Sequence, residues 1–135
     1  MYQQMIFVNL AVNDLDASKK FYTELGYALN DQFSDENTAS VVISDTIVAM
    51  LHTKPRYAEF TKKEIADATR TSEVLLALSA ESREKVDELV DRAVAAGGSV
   101  TGETQDQGFM YGRAFDDLDG HTWEVVWMDP AAVEG

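Results

Sequence analysis

The stretch DDLDGHTWEVVW, residues 116–127, decides how the chain is read. Its first half crowds aspartates, Gly120 and His121 into a corner, where a glycine supplies positive φ and aspartate carboxylates bond the turn's own amides. His121 reads as part of that turn. The second half alternates, so Trp123, Val125 and Trp127 share one face while Glu124 and Val126 share the other. Large rings at every second position are what a helix packs upon, which assigns the tryptophan face to the core and leaves Glu124 facing away from it.

Working outward, the same strand-and-helix grammar occurs twice. IFVNLAV, residues 6–12, reads as a strand, and DLDASKKFYTELGY, residues 14–27, reads as an amphipathic helix. Leu15, Ser18, Phe21, Tyr22 and Leu25 lie at helical spacing, Asp14 is an N-cap, and Gly26 suits the left-handed position past the end. Farther on, EVLLALSA leads into ESREKVDELVDRAVAAGG, with Val86, Leu89, Val90, Ala93 and Val94 as the apolar stripe and Gly97-Gly98 as the stop. Each helix is followed by three short strand-like runs, over 27–33, 39–44 and 46–53 and then over 99–105, 110–116 and 121–128. Setting Val12 against Ala80 gives a repeat of roughly 68 residues, natural for a duplicated βαβββ module. The expected organisation is one α+β domain over 1–135, with module one at 4–54, a helical linker at 55–71 and module two at 72–129. In the linker, Thr61 and Glu64 form a capping box, with Phe60, Ile65 and Ala68 as its packing face. It reads either as a lid or as a connector covering a sheet edge.

Composition narrows the function. The chain has 135 residues, a net charge of -13 and no cysteine. An acidic surface repels phosphate backbones and anionic lipid, so neither nucleic acid nor membrane is an expected partner. No leader or long apolar run is present, which leads to the expectation of a cytoplasmic protein. Without thiolates, a metal would have to be held by oxygen donors and by His52 or His121. GFMYG and AAGG lack the spacing of a phosphate cradle, and a nucleophile triad finds no support.

NLAVNDLDASKKFYTELGY and FDDLDGHTWEVVW resemble the opening and closing signatures of the vicinal oxygen chelate superfamily, which includes glyoxalase I, extradiol dioxygenases, fosfomycin-resistance enzymes and bleomycin-resistance proteins. With SDENTASVVISDTIVAML, FTKKEIADAT, LLALSAESREKVDELV and QDQGFMYGR, the chain resembles a bacterial branch often labelled predicted lactoylglutathione lyase. The resemblance implies paired βαβββ modules whose mixed sheets curl around a cup, often in a homodimer. It also implies four metal-ligand positions, on the first and last strands of each module. Alignment puts Phe7, Val48, Leu75 and Glu124 there, so only Glu124 offers a donor atom, and neither metal nor other cofactor is expected.

Strand alternation then fills in the cup. If Phe7 and Glu124 face inward, so do Asn9, Met50, His52, Leu75, Ala77, Val126 and Met128. His52, at a strand end, either reaches a ligand at the rim or faces water. Tyr111 and Tyr57 are further ligand contacts or packing residues. Arg113 is the expected ion-pair partner of Glu124, since a carboxylate in an apolar cup needs a partner or a proton. Three functions follow. The first is a metal-free dimer binding a small apolar or amphiphilic molecule. The alternatives are a lyase or isomerase using Glu124 as acid or base, with Arg113 or Asn9 stabilising an oxyanion, and a divalent-metal lyase or dioxygenase whose ligands come from elsewhere.

Overall fold

The computed structural model describes residues 1–133 and divides into two compact units, 1–66 and residue 67 onward. Unit one holds β1 (Ile6–Val12), α1 (Leu15–Glu24), β2 (Ala28–Leu29), a 3-10 turn (Asp31–Phe33), β3 (Thr38–Val42), β4 (Ile47–Thr53) and α2 (Lys54–Tyr57). Its sheet runs β1-β4-β3-β2, with β1 parallel to β4 and the other pairs antiparallel. Unit two holds β5 (Leu76–Ser79), α3 (Arg83–Ala95), β6 (Ser99–Val100), β7 (Gln105–Asp106), β8 (Met110–Asp116), β9 (Thr122–Met128) and α4 (Pro130–Val133). Its sheet runs β5-β9-β8-β6, β5 is parallel to β9, and β7 also pairs with β8. Unit one is thus a βαβββ module, as the repeat predicts, and unit two follows the same plan with one extra short strand, β7.

The first helix forms where its signals lie. Asp14 accepts from the Ala17 amide at 3.1 Å, satisfying one of the amides a helix start leaves open. Gly26 closes the helix at φ 106°, a conformation that costs side-chain-bearing residues the most. Leu15, Ser18, Phe21, Tyr22 and Leu25 are all buried, with Phe21 and Tyr22 edge to face at 5.1 Å. Burying each such ring stabilises the unit by about 2–3 kcal/mol. The helix packs on β2, β3 and β4, whose inward residues Val41, Ala49 and Leu51 are fully buried.

In unit two, α3 packs on β8, β9 and β6, capped by Ser82, and buries Val86, Val90 and Ala93. Val94, expected in this stripe, is exposed because it lies off the arc covered by the sheet. Trp123, Val125 and Phe115 complete the core. The corner before β9 forms as read: the Asp117 carboxylate accepts from the Asp119 and His121 amides at 3.0 and 2.9 Å, and Gly120 sits at φ 89°. A Cβ at Gly120 would meet the backbone carbonyl of Ala68 at 2.7 Å, so glycine is required for space as well as conformation.

The linker departs from expectation. Its only helix is the single turn Lys54–Tyr57, capped by Thr53, and none forms over 61–68. The Thr61 hydroxyl accepts from the Lys63 amide at 3.0 Å, which makes a local turn in place of a capping box.

Candidate functional site

Each sheet has one face packed by its long helix, α1 or α3, and one that no long helix covers, the uncovered face; in unit one Phe60 lies over part of it, and Thr38, Ser40, Val48 and His52 on it are buried. On the uncovered face of unit one the register sets Phe7 beside Val48, Asn9 beside Met50 and Ala11 beside His52, with Thr38, Ser40 and Val42 across from His52, Met50 and Val48. All five residues predicted for this face are therefore on it. His52 is neither at a ligand-accessible rim nor in water: it is 3% exposed. Its Nδ1 lies 2.9 Å from Thr38 Oγ1 and its Nε2 lies 2.8 Å from Asn9 Oδ1. Phe60 stacks edge-on against the ring at 4.9 Å, and Tyr57 lies farther off at 6.5 Å. Burial, and then the nearby Arg56 cation, push the His52 pKa below the ordinary imidazole value, so the ring is neutral.

On the uncovered face of unit two, Ala77 and Ala114 flank Glu124, and Gly112 and Ser79 flank Val126. Leu75 precedes β5, and Ala77 stands beside Glu124 as Phe7 stands beside Val48, so Ala77 is the true counterpart of Phe7. The expected Arg113–Glu124 pair does not form. Arg113 is opposite Val125, on the helix face, and its guanidinium bonds Asp87 at 2.9 Å and Asp91 at 3.2 Å on α3. Tyr111 lies on that same face and donates to Asp87 at 2.7 Å, so it too is turned from Glu124. The Tyr111 hydrogen bond, and then Arg113, hold the Asp87 carboxyl below its usual pKa.

A cavity of about 260 Å³ opens over this face, lined by Gly102, Glu103, Met110, Gly112, Glu124 and Val126 among others. Arg113 borders it while its charged end is spent on α3. Glu124 is half-buried, and among the described residues no ion pair or side-chain hydrogen bond reaches its carboxylate. The wall formed by 101–106 is held in place from outside. Arg83 forks onto both Asp106 oxygens at 2.8 and 2.9 Å, bonds the Gly108 carbonyl, and lies over the rings of Tyr111 and Trp127. That fork, with the Gly108 amide, lowers the Asp106 pKa to about 2.

Thr38 and Arg56, and the lining residues Gly102, Glu103, Met110 and Gly112, are not singled out by sequence reasoning, and Phe60 is read there only as a packing residue of the linker. Thr38 was recoverable, since alternation through β3 places it with Ser40. The loop 101–109 carries no periodic signal.

A model of the Glyoxalase/Bleomycin resistance protein/Dioxygenase superfamily matches residues 4–125. The chain belongs to this superfamily. Among solved structures, a hypothetical protein of S. aureus is 31% identical with TM-score 0.77, each chain covered to 94%. A glyoxalase-related enzyme from Fulvimarina pelagi is 25% identical with TM-score 0.78, covering 93% of this chain and 88% of that one. The fosfomycin resistance protein FosX from Mesorhizobium loti shares the fold at 13% identity and TM-score 0.71, both chains covered completely. No curated protein matches the sequence.

Taken unit by unit, the uncovered faces of this superfamily member offer few donor atoms for a divalent ion. Phe7, Val48 and Ala77 present carbon where ligands would stand, and both His52 nitrogens are bonded to Asn9 and Thr38. Among the described residues no three histidine or carboxylate side chains gather around a common point. A catalytic divalent site needs about three firm protein ligands.

Proposed function

We propose that this superfamily member binds small amphiphilic molecules without a metal, using Glu124 as the polar anchor of the unit-two cavity. The observation that carries this reading is the half-buried Glu124 carboxylate, unpartnered among the described residues, beside Gly112, Ala114 and Val126. A ligand entering there strips water from the carboxylate, and only a donor or cationic group on the ligand compensates that loss. The remaining lining sets Met110, Gly112, Ala114 and Val126 against the polar Thr101, Glu103 and Gln105, which suits a molecule with both an apolar body and polar groups. The acid/base alternative lacks support from Arg113, whose guanidinium serves α3.

The reading extends to a homodimer in the cytoplasm. An edge position for β1, with Ile6 and Phe7 each 55% exposed, favours self-association. The absence of cysteine and of any helix long and apolar enough to cross a membrane, among the described residues, is compatible with that location.

Titration calorimetry with phenethylamine, on protein dialysed against EDTA, tests the proposal. Binding is expected with chelator present, and Glu124→Gln, which removes charge at constant shape, should weaken it about tenfold. Equal binding by the variant, or binding only after a divalent metal is restored, refutes the reading.

A further inference from the structure

A second polar feature lies on the uncovered face of unit one, and its proton order follows from donor and acceptor chemistry. Arg56 has no acceptor, so its Nη1 donates to Thr38 Oγ1 at 3.2 Å. Thr38 is 6% exposed, and its own hydroxyl proton needs an acceptor; His52 Nδ1, at 2.9 Å, provides it. Were Nδ1 protonated instead, the buried hydroxyl proton would have no partner among the described residues. The neutral ring therefore carries its proton on Nε2, which donates to Asn9 Oδ1 at 2.8 Å. With its carbonyl so engaged, Asn9 presents its Nδ2 and both remaining N–H groups to the exposed face, beside Met50 and one strand repeat from Phe7. No acceptor within the described residues meets those donors.

The chain is anchored at its far end by charge. Arg56 stands 3.5 Å from Asp35 and 3.4 Å from Glu59, and Asp35 is itself held by the Asn37 and Thr38 amides. A cation that cannot reverse its hydrogen bonds thus fixes the orientation of an amide three hydrogen bonds away. An unanchored asparagine on a surface offers either end of its amide to a ligand; this one has its oxygen turned to His52 and both Nδ2 protons free to donate.

We infer that Asn9 is a fixed-polarity donor site for a carbonyl-bearing apolar molecule, and that His52, Thr38 and Arg56 are its positioning residues. Phe7 and Met50 supply the apolar contact beside it. A neutral carbonyl is favoured over a carboxylate because the whole chain carries a net charge of -13. This inference does not rest on the Glu124 reading, since it uses a different residue and a ligand group of opposite hydrogen-bonding character.

The test uses acetophenone, which can accept but not donate, and the full chain labelled with nitrogen-15. Long-range proton–nitrogen correlation of His52 should show the proton on Nε2; a proton on Nδ1 overturns the inference. Acetophenone should shift the Asn9 side-chain amide peaks saturably. Asn9→Asp still accepts from His52 Nε2 but has no donors, so it should keep the Nε2 proton and the fold while binding acetophenone about three- to tenfold more weakly. Unmoved Asn9 peaks, or an Asp variant that binds equally well, overturn the proposal. Thr38→Val removes the hydroxyl that sets the tautomer, so His52 should populate both ring protonations and affinity should fall about threefold with Asn9 intact. A Thr38→Val protein with an unchanged tautomer and unchanged affinity removes the positioning role. Loss of phenethylamine binding at Glu124 leaves these results untouched, and the reverse also holds.

Discussion

Replacing Gly120 with alanine should destabilise unit two by about 3–4 kcal/mol, from two separable sources. The first is conformational: φ is 89°, where a Cβ costs about 1–2 kcal/mol. The second is steric, because the new methyl would meet Ala68 O at 2.7 Å, Ala68 C at 2.8 Å and Thr69 N at 2.8 Å. All three are backbone atoms of a planar peptide and cannot swing aside as a side chain tip can, so the segment must shift, at about 2 kcal/mol. Gly102 provides the control. It has φ 70° and nothing within 4 Å of an added Cβ, so Gly102→Ala should cost only the conformational part, about 1–2 kcal/mol. Guanidinium unfolding of both variants, followed by far-ultraviolet circular dichroism, gives the difference directly. Costs equal to within about 0.5 kcal/mol would refute the contact between the turn and residues 68–69.

Four further outcomes follow from the same contacts. Arg113→Met should cost about 1 kcal/mol in urea unfolding through its lost pairs with Asp87 and Asp91, yet leave phenethylamine affinity unchanged; a loss matching that of Glu124→Gln would reverse the assignment of faces. Asp106 has a folded pKa of about 2 against an ordinary 3.8, so its contribution is fully present above pH 3.8 and is lost as pH falls toward 2; Asp106→Asn should flatten the acid limb of the stability curve there. Asp14→Ala should lower stability by about 1 kcal/mol by thermal unfolding, through loss of the bond to the Ala17 amide. Dialysis against EDTA should leave the melting temperature unchanged, and a drop on chelation would reveal a bound ion.

What was legible in the sequence is what short-range chemistry controls. Asp14 and Gly26 mark the ends of α1, and Asp117 with Gly120 mark the corner, because each acts on backbone atoms within a few residues. The tryptophan face was readable from alternation within β9. Arg113 was not assigned correctly because its face depends on the pairing of β8 with β9: Ala114, not Arg113, lies opposite Glu124. A shift of one residue in an antiparallel pair moves a side chain through the sheet. His52 looked like a surface residue since nothing local shows that Thr38, Arg56 and Phe60 converge on it. The capping-box signature at Thr61 and Glu64 was outweighed by the local turn that the Thr61 hydroxyl makes with Lys63.

The Arg83 fork has an optical consequence. The chain has two tryptophans: Trp127 lies under the Arg83 guanidinium, 5.3 Å from its ring, while Trp123 is sealed in the core. That same guanidinium grips the segment walling the cavity, so any displacement of the wall moves a positive charge relative to one indole and leaves the other unaffected. The emission spectrum of the unlabelled protein therefore contains a steady internal standard and a second chromophore wired to the cavity's outer wall.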